Sequence, residues 1–399
     1  MISWPVPRIR AVTSVVLPLF GALAILAAAS PSTVPATTSP SPTPAATPTI
    51  RPNLDVASVP MFAYYYIWFD PSSWNRAKSD LPVLGPYSSD DETVMRQHIQ
   101  EAKSAGIEGF IVSWKSTTVL DRRLATLIQV AREEDFKLAI IYQGLDFSRE
   151  PLPATQIADD LDYFISHFAS DPVFDSFGKP VVIWSGTWRF SEADIAAVAG
   201  PRRDRLQILA SEQSVDGFER VADLVDGNAY YWSSVNPKTY RGYDARLSEL
   251  GREVHRDNGL WVAPAAPGFD SRLLGKPSVV GRGNGATLRR ELTAALNSNP
   301  DAVGLISWNE FSENTYVEPS RAYGSTALEV IADVRGTRPP DVSSFDSDAS
   351  GAGTAPLGIS YGIVGLVAGC AGLFALTTIV RRRRRPVVGS LTKKPSPRL

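Results

Sequence analysis

The chain has 399 residues, with 40 Lys and Arg set against 42 Asp and Glu for a net charge of −2. That balance, with no basic patch between the two tails, excludes nucleic acid as a partner. The single cysteine, Cys370, excludes a disulfide framework or a thiolate metal site, and His98, His167 and His255 share no metal-ligand spacing.

In chain order, Arg8 and Arg10 precede an apolar run from Ala11 to Ala29 that closes in small residues. Residues 1–30 therefore read as a secretory signal peptide, with an uncleaved signal anchor as the alternative. Residues 31–56 are rich in Pro, Thr, Ser and Ala and offer too little apolar surface to fold, so they read as an extended stalk open to glycosylation.

Residues 57–335 alternate strand-like and helix-like segments, with no visible repeat. The strand candidates are 59–67, 109–113, 138–142, 181–184, 206–210, 224–230, 260–263 and 303–308, short apolar runs rich in β-branched and aromatic residues. The helix candidates are 91–104, 122–134, 154–168, 192–199, 243–257, 288–296 and 326–334, with one more within 215–222. In the first, Val94, Met95, His98, Ile99 and Ala102 share a face, and Ser89 with Glu92 is expected to form a capping box.

Residues 336–356, rich in Ser, Asp, Gly and Pro, read as a flexible linker. Residues 357–380 are uncharged and of spanning length, and Arg381 to Arg385 follow at once. The basic tail 381–399 is therefore expected in the cytoplasm and the folded block outside a single-pass cell-membrane anchor. No Leu-Pro-x-Thr-Gly sequence precedes the span, which favours a spanning anchor over covalent wall attachment. Gly358, Gly362, Gly365 and Gly369 make two small-xxx-small pairs, a face suited to joining two copies in the membrane.

Eight strand–helix units in a block of this size predict a (β/α)8 TIM-type barrel. A doubly wound open sheet is the alternative, but no glycine-rich phosphate loop follows the first strand. The last strand runs into Ser307-Trp308-Asn309-Glu310-Phe311-Ser312-Glu313, which puts two carboxylates three residues apart on the C-terminal rim. Paired acids there suit general acid and base work on a glycosidic bond; the alternative is a solvated loop that carries two acids. The other strand ends are aromatic: Tyr64, Tyr65, Tyr66 and Trp68, then Trp114, Tyr142, Trp184, Trp188, Tyr230, Tyr231 and Trp232. Rings at a cleft mouth stack on sugar faces, although strand alternation sends about half of such residues into the core. No Gly-x-Ser-x-Gly elbow or nucleotide fingerprint is present. With no ligand cluster, and two carboxylates sufficing for proton transfer, neither a metal nor an organic cofactor is expected.

Tyr65-Tyr66-Ile67-Trp68, Leu84-Gly85-Pro86-Tyr87-Ser88-Ser89-Asp90, Ser113-Trp114, Asp226-Gly227 with Tyr231, Pro267-Gly268-Phe269 and the motif from Ser307 to Glu313 occur in that order. Together they resemble glycoside hydrolase family 99, the endo-α-mannosidases and endo-α-mannanases, over most of residues 60–330. Tyr316-Val317-Glu318-Pro319-Ser320 and Tyr323-Gly324 look more like the WbsX-like, family-99-like group found beside bacterial polysaccharide genes. The Asn-acid-aromatic-x-Glu core is also similar to family 71 α-1,3-glucanases.

The resemblance implies retention without a covalent enzyme intermediate. Glu310 would take the proton of the sugar 2-hydroxyl, whose oxygen attacks the anomeric carbon and forms a 1,2-anhydro sugar. Glu313 would protonate the leaving oxygen and then activate the water that opens the epoxide. The 2-oxygen must lie trans to the leaving group, which an α-mannoside satisfies and an α-glucoside does not. On an α-glucan the same acids would need another division of labour, such as inversion with a base-activated water.

Tyr65, Tyr66, Trp68, Trp114, Gln143, Tyr231 and Asn309 are the expected sugar contacts. Gln143 stands where family 99 carries a carboxylate, Ser312 and Asn314 replace a His and a Gly, and Trp74-Asn75-Arg76 replaces a His-rich segment. The expectation is a membrane-anchored, endo-acting α-glycosidase on α-mannan or a mannose-containing surface glycan. Its rivals are an α-glucanase and an inactive glycan-binding barrel, which Gln143 keeps open.

Overall fold

The computed structural model describes residues 49–51 and 54–337. The expected signal peptide, membrane span and basic tail, with most of the stalk and linker, lie outside the described residues. Among the described residues no helix is long and apolar enough to cross a membrane.

The described chain alternates β1 (Met61–Tyr66), α1 (Glu92–Ser104), β2 (Gly109–Trp114), α2 (Thr118–Glu133), β3 (Lys137–Gln143), α3 (Ala154–His167), β4 (Val181–Ser185), α4 (Glu192–Ala199), β5 (Gln207–Leu209), α5 (Val215–Glu219), β6 (Gly227–Ala229), α6 (Tyr243–Arg256) and β7 (Leu260–Ala265). A small hairpin of β8 (Phe269–Asp270) and β9 (Val279–Val280) follows, then α7 (Ala286–Asn297), β10 (Ala302–Leu305) and α8 (Thr326–Arg335).

Eight strands form one parallel sheet in the order β5-β4-β3-β2-β1-β10-β7-β6. Its two ends meet through a parallel bridge between Ala210 and Asn228. Backbone hydrogen bonds from Asp226 to Ile208 (2.8 Å), Ala210 to Gly227 (2.9 Å) and Ala229 to Ala210 (2.8 Å) complete the ring. The expected barrel is thus present, nearly closed, with each of the eight strand candidates in it. The hairpin was not foreseen, because two-residue strands are too short to carry a period.

Strand alternation sorts the side chains into two layers. Phe62, Tyr64, Ile111, Ala139, Ile141 and Ile183 fill the barrel interior. Their neighbours Ala63, Tyr65, Val112, Ile140, Tyr142 and Trp184 face the helices. Gly109 makes room for this: a Cβ there would lie 2.3 Å from the Phe62 ring.

Two boundaries differ from expectation. Ile50, Leu54 and Val56, assigned to the stalk, pack on the core. Asn297 holds this segment, accepting from Arg51 N–H at 2.9 Å and donating to the Thr49 carbonyl at 3.0 Å. The foreseen capping box is also replaced: Asp91 caps α1 by accepting from Thr93 N–H. Ser89 is buried, and its hydroxyl accepts from Phe69 N–H at 3.1 Å. The nearer Asp91 takes the cap while Ser89 holds the loop after β1.

Candidate active site

The two acids leave β10 on a short, strapped loop. Ser307 N–H donates to the Thr315 carbonyl at 2.7 Å, and Val317 N–H to the Ser307 carbonyl at 2.8 Å. Within the strap the Ser307 hydroxyl accepts from Glu310 N–H at 2.8 Å and pairs with the Thr315 hydroxyl at 3.1 Å. Phe311 stacks on Tyr316 with centroids 4.0 Å apart, which packs the loop's outer side. Asn314 has φ +56°, so its backbone takes the left-handed conformation that Gly adopts freely and Asn tolerates. Asn at this position, where the resembled family has Gly, is therefore conformationally tolerated. Arg282 fastens the turn, donating from Nη2 to the carbonyls of Asn314 (3.1 Å) and Tyr316 (2.8 Å).

Both acids are buried, Glu310 with 2% and Glu313 with 0% of its surface exposed. Their surroundings differ. Glu310 Oε1 accepts from Ser312 N–H at 2.9 Å. Burial raises its proton affinity, while the Ser312 hydrogen bonds and the Lys78 charge pull it back. Neither carboxyl oxygen of Glu313 has a hydrogen-bond partner. Burial, and then the Glu310 charge, push its pKa well above the carboxylate range against the weaker pull of Arg149 and Lys276. These surroundings favour loss of the proton from Glu310 before Glu313, an arrangement that could supply a base beside an acid.

Four expected sugar contacts meet at this mouth. Tyr66 and Gln143 continue the inward-facing positions of β1 and β3. The Tyr66 and Tyr231 hydroxyls lie 2.8 Å apart, and Trp68 stacks on Tyr66 at 4.3 Å. Gln143 Nε2 donates to the Ser113 hydroxyl at 3.2 Å. Burial, and then the neighbouring Tyr66 hydroxyl, raise the Tyr231 pKa well above the usual phenol range.

Three contacts are corrected. Tyr65 lies on the opposite side of β1, its hydroxyl 3.0 Å from His98 Nδ1. Trp114, on the outward side of β2, donates from Nε1 to Asp121 at 3.0 Å and is fully buried against the helices. Period-two alternation removes both from the mouth. Asn309 is fully buried with its amide engaged on Tyr66 and Tyr87, so it braces the site.

Sequence reading missed the cations Lys78, Arg149 and Lys276, which come from the loops after β1, β3 and β7; no local pattern marks them. It also missed a buried chain in which His98 Nε2 lies 3.2 Å from Glu318 and the Tyr87 hydroxyl donates to Glu318 at 2.9 Å. Tyr87 and Glu318 both stand in motifs singled out above, which was the available signal. Among the described residues no group of His, Cys, Asp and Glu could hold a metal ion. A cavity of about 440 Å³ near α5 and α6 is lined by Glu249, Arg252, Glu253 and Arg256, a self-neutralising set on the outer wall.

The family model described as glycosyl hydrolase family 71 matches residues 83–333. The chain belongs to glycosyl hydrolase family 71. Among curated proteins it is similar to the glycoprotein endo-alpha-1,2-mannosidase of Rattus norvegicus, 23% identical over 291 residues, covering 65% of this chain and 60% of that protein. The endo-alpha-1,2-mannosidase-like protein of Homo sapiens is 24% identical over 279 residues, covering 61% and 59% of the two chains. The chain thus spans about 60% of the length of the curated relatives it matches. Among solved structures, the GH99 endo-alpha-mannosidase of Bacteroides thetaiotaomicron superposes with a TM-score of 0.60 at 16% identity, covering 70% of this chain and 98% of that one. That likeness concerns the fold. The family-71 match spans Glu310 and Glu313, and the mannosidase relatives agree with the resemblance read from the ordered motifs.

Proposed function

We propose that this family-71 chain is an endo-acting α-glycosidase that cleaves α-mannan or a mannose-containing surface glycan with retention, through a 1,2-anhydro sugar. What supports this reading is the unequal acid pair: Glu313 is buried without a hydrogen-bond partner, its pKa pushed up by burial and by the Glu310 charge, while Glu310 is bonded to Ser312 and feels the Lys78 charge. Glu310 takes the proton of the sugar 2-hydroxyl as that oxygen attacks the anomeric carbon. Glu313 gives its proton to the departing oxygen. Water then opens the epoxide, losing a proton to Glu313 while the 2-oxygen regains one from Glu310, and both acids return to their starting states. The similarity to endo-alpha-1,2-mannosidases supports an α-mannoside substrate, and the trans relation of its 2-oxygen to the leaving group suits this route.

The family-71 match favours a second reading, hydrolysis of an α-1,3-glucan, in which the same carboxylates act on water and the configuration inverts. The purified full chain incubated with α-mannan and with α-1,3-glucan separates the two, with the anomer of the first product followed by proton NMR. Retained product from mannan supports the first reading, and inverted product from glucan supports the second. Release from neither polymer returns the inactive glycan-binding barrel. The arginine-rich tail behind residues 357–380 supports placing the domain outside the cell membrane on one span, and its glycines support pairing there. Protease shaving of intact cells that fails to release the domain would overturn that placement.

A further inference from the structure

Phe147 is the most exposed large hydrophobic side chain among the described residues, with 64% of its surface open. Leaving such a ring in water forgoes about 2 kcal/mol of burial, so a loop that holds it out firmly needs a reason. The loop is firm. Leu145 and Pro151 form an antiparallel bridge, Leu152 N–H donates to the Gly144 carbonyl at 2.9 Å, and Asp146 N–H donates to the Glu150 carbonyl at 2.8 Å. The Asp146 carboxylate accepts from the N–H groups of Ser148 (2.8 Å) and Glu150 (2.9 Å), which locks the turn by its own side chain. Glu150 is tied to Arg189 at 2.8 Å.

The loop also stands in the right place. It leaves β3 directly after Gln143, an inward position at the mouth. Arg149, two residues past Phe147, is the foremost cation acting on Glu313. Lys115, the first residue beyond β2, sets its Nζ 5.8 Å from the Phe147 ring centroid. The ring therefore has an ammonium beside it while most of its surface stays open.

We infer that Phe147, with Lys115 beside it, is a sugar-binding subsite on the leaving-group side of the cleaved bond. It takes a pyranose of the departing chain, whose C–H face lies on the ring while its hydroxyl oxygens accept from the Lys115 ammonium. The assignment of side rests on the proposed function: the acid Glu313 protonates the departing oxygen, so the loop whose Arg149 charge acts on Glu313 meets the departing chain.

Full-length wild type, Phe147→Ala and Phe147→Trp are compared in two assays. The first is retardation in native gels containing α-mannan or α-1,3-glucan; the second is kcat/KM on the polymer cleaved and on the matching glycosyl fluoride, which has no leaving sugar. Phe147→Ala should lower kcat/KM on the polymer roughly tenfold, the scale of one aromatic stacking contact. It should leave the fluoride unchanged, and Phe147→Trp should restore the polymer rate. Equal polymer rates for wild type and Phe147→Ala overturn the subsite, as does an equal loss on the fluoride. Where no variant hydrolyses either polymer, the gels decide. Retardation of wild type that Phe147→Ala loses upholds the subsite while the proposed reaction fails. Equal retardation, or none in either gel, overturns the subsite.

Discussion

Asn309 grips Tyr66 by both of its backbone polar groups: Oδ1 accepts from Tyr66 N–H at 2.9 Å and Nδ2 donates to the Tyr66 carbonyl at 3.0 Å. The amide thus acts as a further strand at the point where β1 leaves the sheet, one residue before Glu310. The same Nδ2 lies 3.2 Å from the Tyr87 hydroxyl, which joins the clamp to the buried Glu318–His98 chain.

Asn309→Ala removes both hydrogen bonds that its amide makes to the buried Tyr66 backbone. The expected loss is about 2–4 kcal/mol of stability, two buried hydrogen bonds broken from one side. Turnover should fall in whatever remains folded, since Glu310 follows directly in the chain. Denaturant unfolding with an unchanged midpoint would remove the clamp from the account.

Glu310→Gln and Glu313→Gln should each lower turnover on the order of 10²–10⁴-fold, the scale of one positioned proton transfer. The Glu313→Gln defect should shrink on a glycosyl fluoride, whose leaving group departs without a proton. The Glu310→Gln defect should persist there, because the 2-hydroxyl must still attack. Equal defects on both substrates would reverse or dissolve the assigned roles.

Lys78→Met should move the acid limb of the kcat/KM profile to higher pH. Burial raises the Glu310 pKa and the Lys78 charge lowers it, so removing the cation leaves it higher still. On the proposed route Glu310 acts as the ionised base, so activity falls as the pH drops through its pKa and that limb shifts upward. The alkaline limb, set by the proton on Glu313, should stay in place. A fixed acid limb would mean that Lys78 does not act on the base.

Trp114→Ala and Tyr66→Phe test the two faces of the sheet. Trp114 is fully buried against the helix layer, so its removal should cost about 3–5 kcal/mol of stability. KM for glycan in the folded fraction should be unchanged. Tyr66→Phe deletes only the hydroxyl that meets Tyr231 at 2.8 Å, and should weaken glycan turnover with little change in unfolding. The reverse pattern would place Trp114 at the mouth after all.

The sequence by itself determined the architecture and the acid pair. Strand and helix periods are local properties, and eight of each, read along residues 57–335, admit few packings other than the barrel. The spacing of Glu310 and Glu313 after the last strand is likewise written in neighbouring residues. What only tertiary structure decided is which side of each strand faces the mouth and what surrounds each carboxyl. Tyr65 and Tyr66 are equivalent as sequence, yet one step along β1 turns the first toward His98 and the second toward Tyr231. The two glutamates look alike in the chain. Their surroundings separate them: Glu310 accepts from Ser312 N–H and feels the Lys78 charge, while Glu313 is buried without a hydrogen-bond partner. The charges of Lys78, Arg149 and Lys276 act on the pair from three separate loops, a convergence that exists only once the barrel closes.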